Sequence, residues 1–217
     1  MFHGKHVRDR LDRAAGRAGT DLTSAQRETL IQFADWLAAE AVEAGGIGSD
    51  EKDRIIDRHV ADSLVFAAAW EGTPVDILDI GSGVGLPGIP LAISHPNTSV
   101  TLLDRSETRC RLARRAIRIL GLENVVVEQR DTEGMSGPWS TIVFRASLVW
   151  EDALATALPL LEMNGRAVVG LSRSAEPDQL PHAPPGTVLD LLRINRGVLD
   201  SPAWLLRMTV ANPPASD

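Results

Sequence analysis

The chain has 217 residues, long enough for one domain with a sizeable core. Its one cysteine, Cys110, excludes a disulfide framework and a cysteine zinc cluster, and no apolar run approaches the ~18 residues of a membrane span. The net charge of −7 argues against a uniformly basic nucleic-acid binder, but the positive charge is segregated: residues 105 to 118 carry six arginines against the single acid Glu107.

Residues 1 to 22 are polar and basic, with Lys5, Arg8, Arg10, Arg13 and Arg17 and no clear apolar stripe. They read as a frayed helix or a disordered segment. They also lack the apolar stretch of a signal peptide, so a cytoplasmic protein without a membrane partner is the expectation. Thr23 and Gln26 have the spacing of a capping box. The helix it opens reaches about residue 44, with Leu30, Phe33, Ala34, Leu37 and Ala41 at helical spacing, and Gly45, Gly46 and Gly48 end it. A second helix over about 50 to 70 aligns Ile56, Val60, Leu64 and Ala67. Residues 23 to 70 are thus expected as a helical cap on a core at 75 to 210, the whole of 23 to 210 forming one domain. On the second helix His59, Asp62 and Ser63 stand at i, i+3 and i+4, a shared face that can line a pocket.

The most informative stretch is Val75 to Asp104, read as strand, glycine turn, helix and strand. Ile77, Leu78 and Ile80 suit a parallel strand covered on both faces. Gly81, Gly83 and Gly85 let the backbone approach a ligand closely, and Pro87 suits the first turn of the helix that follows. Asp104 ends the second strand about 20 residues beyond the turn, where a carboxylate can accept both hydroxyls of a ribose. Gly83, Gly85 and Gly88 fit the dinucleotide pattern G-x-G-x-x-G, which alone is weak. Asp79-x-Gly81-x-Gly83-x-Gly85 instead has the register of class I S-adenosylmethionine (AdoMet) methyltransferases. A carboxylate beside the turn repels a pyrophosphate but tolerates the ammonium and sulfonium of AdoMet. Asp79, Gly81, Ser82, Gly83, Gly85, Asp104 and the adjacent Arg105 are therefore the candidate cofactor contacts, with a nicotinamide cofactor the poorer fit.

A helix from about 106 to 120 follows, with Arg111, Arg114, Arg115 and Arg118 on one stripe, capped by Gly121. The stripe is a candidate RNA-phosphate contact or a solvated face. Val125 to Glu128 is the third strand, and Asp131 and Thr132 follow it where such folds meet an adenine ring. Trp139 to Phe144 is the fourth strand and places Arg145 at its carboxyl end, the edge at which open parallel sheets bind ligands. A helix over 149 to 161, a strand over 166 to 171, a loop over 172 to 186, strands over 188 to 194 and 204 to 210, and a coil over 211 to 217 complete the chain. The expected fold is α/β and Rossmann-like: a seven-stranded, mostly parallel sheet with helices on both faces and an N-terminal helical cap.

Arg58-His59-x-x-Asp62-Ser63-Leu64, then Asp79-Ile80-Gly81-Ser82-Gly83-Val84-Gly85-Leu86-Pro87-Gly88-Ile89-Pro90, then Arg145-Ala146 and Ala157-Leu158-Pro159-Leu160-Leu161, occur in that order. The chain in this respect resembles the small-subunit ribosomal RNA methyltransferase G family, also called glucose-inhibited division protein B, over roughly residues 23 to 210. The resemblance implies transfer of the AdoMet methyl to N7 of a guanine in 16S ribosomal RNA, with Gly81, Leu86, Asp131, Thr132 and Arg145 at the cofactor. The partner it implies is that RNA or the assembling subunit; a monomer with no DNA partner is the expectation. Arg145, His59 and Asp62 are the candidate catalytic residues, and no metal ligands are expected. Guanine N7 has a lone pair in the ring plane, so an in-line displacement needs alignment more than a general base. The residues alone leave open a small-molecule methyltransferase and a non-catalytic AdoMet-binding module.

Overall fold

The computed structural model describes residues 4–70, 72–171 and 182–211. Among the described residues the centre is a seven-stranded sheet: β1 Asp76–Ile80, β2 Ser99–Asp104, β3 Val125–Gln129, β4 Trp139–Arg145, β5 Leu161–Gly170, β6 Thr187–Ile194 and β7 Ala203–Val210. Their order is β3-β2-β1-β4-β5-β7-β6. The strands β1 to β5 pair in parallel, and β7 lies antiparallel between β5 and β6. Because β1 has β2 on one side and β4 on the other, the winding reverses there and a crevice opens at the carboxyl ends of these strands. Alternate residues of β1 face opposite ways: Ile77 joins a core with Leu102 and Val143, while Leu78 and Ile80 join another with Ile142 and Phe144.

The first core is covered by α1 Lys5–Arg17, α2 Ser24–Trp36, α4 Gly88–Ser94, α5 Glu107–Leu120 and a helical run that includes α3 Ala61–Leu64; the second is covered by α6 Trp150–Ala157. The segment expected to fray or be disordered is thus largely a packed helix. Leu11, Ala14 and Ala15 of α1 are buried against that helical run. Two of these three are alanines, too weakly apolar to mark a stripe in the sequence. Arg10 pairs with Asp57 at 2.9 Å and Arg27 with Asp12 at 2.6 Å, holding α1 to its neighbours.

The capping box forms as expected: Gln26 N–H donates to Thr23 Oγ1 at 3.2 Å and Thr23 N–H to Gln26 Oε1 at 2.8 Å. Helix α2 then widens into a π-turn over Leu37–Ala41. The second cap helix changes pitch repeatedly, from 3₁₀ over Ser49–Arg54 to π over Ile55–Val60, α over Ala61–Leu64 and 3₁₀ over Val65–Ala69. One expectation is corrected here: Ser63 is wholly buried and donates its hydroxyl to the His59 carbonyl, so that of His59, Asp62 and Ser63 the first two line the cavity described below and Ser63 does not. Pro87 stands just ahead of α4 as its cap rather than within its first turn. The expected loop over 172 to 186 and coil over 211 to 217 lie mostly outside the described residues.

Candidate active site

Two cavities adjoin at the carboxyl edge of the sheet. The first, about 310 Å³, is lined by residues including Gly81, Asp104, Arg105, Asp131, Thr132 and Ser147. The second, about 210 Å³, is lined by residues including Glu51, His59, Asp62, Phe66, Arg145 and Trp204. Ala146 lines both. Its φ is +53°, a left-handed conformation that costs a residue with a Cβ on the order of 1 kcal/mol and that is held here by the surrounding fold.

The glycine turn is set by the strands on either side of it. Gly81 and Ser82 donate their N–H groups to the Leu103 carbonyl at 2.8 and 3.0 Å. Gly81 has φ +72°, and a Cβ there would lie 2.4 Å from Ser147 Cβ, so the end of β1 touches the loop after β4 only because the side chain is absent. Asp104 accepts from Gly83 N–H at 2.9 Å and from Ser106 N–H at 2.8 Å. Its carboxylate is thereby oriented at the wall of the first cavity, with lone pairs left for a ligand.

Asp79 corrects the sequence reading. It is wholly buried and does not line the cavity; its Oδ2 accepts from Gly88 N–H at 2.8 Å, tying β1 to the start of α4. Burial pushes its carboxyl up to about 7 against the pull of that N–H. Between its ordinary value of 3.8 and about 7 the folded chain holds a proton that the unfolded chain releases, so this group stabilises the fold at acid pH and the contribution is lost as pH rises. Asp79→Asn keeps an acceptor for Gly88 and cannot titrate. Thermal unfolding at several pH values is expected to show the variant gaining on the wild type by of order 1 kcal/mol per pH unit between pH 5 and 7. A constant difference between the two proteins would refute the shift.

In the second cavity Arg145 organises the polar groups. It donates from Nη2 to the Arg58 carbonyl and to His59 Nδ1 at 3.2 Å, and its Nε lies 3.6 Å from Asp62 Oδ2. A guanidinium only donates, so His59 Nδ1 is the acceptor and the ring proton sits on Nε2, which points towards Glu51 Oε2 at 3.5 Å. Burial, then the nearby Arg145, Arg58 and Arg54, pushes the imidazole down to about 3. His59 is therefore a fixed neutral group near pH 7. Its Cε1 proton resonance is expected to hold the neutral position down to about pH 4; titration near 6.5 would overturn this arrangement.

The structure therefore divides the candidates. Gly81, Asp104, Arg105, Asp131 and Thr132 meet in the first cavity. His59, Asp62 and Arg145 meet in the second, so the Arg145 side chain lies beside the expected cofactor cavity rather than lining it. Ser82, Gly83, Gly85 and Leu86 lie outside the lining of both and build the turn beneath. Arg111, Arg114, Arg115 and Arg118 form the expected exposed stripe on α5, but Arg115 is paired with Glu40 and Arg114 donates to the Val127 carbonyl at 3.2 Å. Arg109, Ser147 and Leu148 of the first cavity, and Glu51, Phe66 and Trp204 of the second, were not anticipated. For Ser147 and Leu148 the signal was available, since loops at the carboxyl ends of parallel strands line such crevices. Nothing local marks Glu51 or Trp204.

Residues 26–182 match the family described as rRNA small subunit methyltransferase G, GidB. The chain belongs to this family. It is similar to the ribosomal RNA small subunit methyltransferase G of Frankia casuarinae, with 35% identity over 203 residues, 87% of this chain and 73% of the relative. It is likewise similar to that of Mycobacterium avium, with 37% identity over 172 residues, 76% of this chain and 68% of the relative. Its fold is similar to that of TrmN from Thermus thermophilus, with a TM-score of 0.52 and 21% identity over 68% of this chain and 48% of that one. TYW2 of P. horikoshii in complex with MeSAdo gives a TM-score of 0.51 and 13% identity over 70% of this chain and 62% of that one. This family member is an AdoMet-dependent methyltransferase with the α/β fold that its strand pattern predicted. Among the described residues no helix is long and apolar enough to cross a membrane.

Proposed function

We propose that this chain methylates N7 of a guanine in small-subunit (16S) ribosomal RNA by direct in-line transfer. AdoMet supplies the methyl group on an electrophilic sulfonium. Beyond family membership, the supporting observation is that the two cavities meet at Ala146, one suited to the cofactor and the other to the acceptor. Asp104 would take the ribose hydroxyls, with Gly81, Arg105, Asp131 and Thr132 completing the cofactor site. Asp79, Ser82, Gly83, Gly85 and Leu86 would act by shaping the turn. On the acceptor side no group has to remove a proton, because N7 presents its lone pair directly. The neutral His59, and Arg145 anchored beside Asp62, accordingly serve to orient the acceptor.

Helix α5 starts at the first cavity with Arg109, and Arg118 lies about 14 Å further along it. Arg111, Arg114, Arg115 and Arg118 would continue the RNA contact through phosphates, Arg115 at the expense of its pairing with Glu40. The reading is of a cytoplasmic monomer acting on the RNA or the assembling subunit, without DNA or membrane.

The test is incubation with methyl-labelled AdoMet and small subunits from cells lacking the endogenous enzyme, followed by digestion to nucleosides. Labelled 7-methylguanosine is expected. No labelled nucleoside, with AdoMet binding intact by calorimetry, would refute the substrate. In the same assay, replacing Arg111 and Arg118 with glutamine is expected to lower the slope of log affinity against log salt by about 2, since each phosphate contact contributes close to one unit. An unchanged slope would remove the stripe from the interface.

A further inference from the structure

We propose that the second cavity is a base-reading pocket that receives the target guanine out of its stack and recognises its Watson–Crick edge through Asp62, its O6 through Arg145, and so turns N7 towards Ala146 and the cofactor. This rests on the guanine-N7 reading above. Enzymes that modify a base must withdraw it from its neighbours and enclose it, and such a pocket needs apolar walls with few, directional polar groups. The second cavity has this make-up. Phe66, Leu171, Trp204 and Leu205 supply apolar wall, and Gly170 lets Phe66 press against β5, since a Cβ at Gly170 would lie 2.9 Å from Phe66 Cζ.

Its polar groups suit guanine and not adenine. Around guanine the sequence of groups is N7 acceptor, O6 acceptor, N1–H donor and N2–H₂ donor; adenine offers a donor and then an acceptor where guanine has O6 and N1–H. In the pocket Ala146 is shared with the cofactor cavity, Arg145 is its chain neighbour, and Asp62 lies 3.6 Å from the Arg145 Nε. A guanidinium only donates, which matches O6, and an ionised carboxylate only accepts, which matches N1–H and N2–H₂. Arg145 spends Nη2 on the Arg58 carbonyl and His59, so its position is fixed while Nη1 takes part in neither bond. His59, neutral and bonded through Nδ1, is a positioning residue for that guanidinium. Arg58, which lines the pocket, donates to Ser201 at 3.2 Å in the turn between β6 and β7, and Arg54 pairs there with Asp200 at 3.3 Å.

The test compares small subunits reconstituted with guanosine or with inosine at the methylated position. Inosine keeps N7, O6 and N1–H but lacks the N2 amino group. For the wild type, kcat/KM is expected to fall about 10-fold or more on inosine, the loss of one hydrogen bond to a charged acceptor. Asp62→Asn is expected to be slower on guanosine by about 10- to 100-fold and to discriminate against inosine by less than about 3-fold, with AdoMet affinity by calorimetry within about 2-fold of wild type. Equal wild-type rates on guanosine and inosine, or undiminished discrimination in Asp62→Asn, would overturn the pocket. The wild-type comparison needs no variant, so it decides even if Asp62→Asn fails to fold. Failure of the wild type to form 7-methylguanosine at all would instead overturn the guanine-N7 reading and this proposal with it.

Discussion

Replacing Arg145 with alanine is expected to lower methyl transfer by at least about 100-fold, because misplacement of a reacting group by about 1 Å already costs that much. The guanidinium ties the end of β4 to one stretch of the helical cap through the Arg58 carbonyl, His59 Nδ1 and the Asp62 carboxylate. Its removal strands His59 Nδ1, an acceptor on the helical cap with little access to water, since the His59 side chain is 13% exposed. A stranded acceptor costs about 1–3 kcal/mol, at the lower end where water can still reach. The cap will relax to recover those contacts and the second cavity will lose its shape. Single-turnover assays with AdoMet calorimetry separate two origins of the loss. A fall in AdoMet affinity matching the loss of rate would place Arg145 on the cofactor; a loss of rate at unchanged affinity would place it on the acceptor. Turnover within about 3-fold of wild type would show that the arginine organises nothing.

Gly88→Ala is expected to destabilise the fold by about 3 kcal/mol, the upper range for overpacking a core. A Cβ at this position would sit 2.2 Å from Leu102 Cδ2, 2.8 Å from Asp79 Oδ2 and 3.3 Å from Val100 Cγ1. Leu102 and Asp79 are wholly buried, so neither can swing aside into solvent. Helix α4 must instead lift from β1 and β2, stretching the 2.8 Å bond between Gly88 N–H and Asp79. For a chain of this size the loss corresponds to a fall of roughly 6–12 °C in Tm, readable by calorimetry. AdoMet affinity should fall with it, because the same helix carries the end of the glycine turn. A drop of less than about 3 °C would mean that α4 is free to shift, and that the buried carboxyl does not anchor it.

The βαβ unit was legible because its determinants are local. Apolar runs of strand length, a glycine turn at fixed register and an acid closing the second strand each act within a few residues of themselves. Asp79 shows the limit of that logic: its spacing marked the glycine turn, yet its carboxyl serves Gly88 from inside the core, a direction that no spacing encodes. Helix α1 was missed because its buried stripe is one leucine and two alanines, apolar enough only once a surface exists to receive it. Ser63, though four residues beyond His59, is buried with its hydroxyl on the His59 carbonyl instead of lining the pocket that its spacing suggested.

By itself the sequence determined the α/β class, the succession of strands and helices along the chain, the family and the cofactor, since these follow from hydrophobic period, turn chemistry and motifs contained in short segments. Only the tertiary structure decided which side chains share a cavity. Glu51, Asp62, Arg145 and Trp204 come from the helical cap, β4 and β7, and they meet because strand order brings the carboxyl end of β4 beneath the cap while β7 returns beside β5. Proximity between segments so far apart is a property of how two cores pack on one sheet, and the local preferences of the residues concerned carry no information about it.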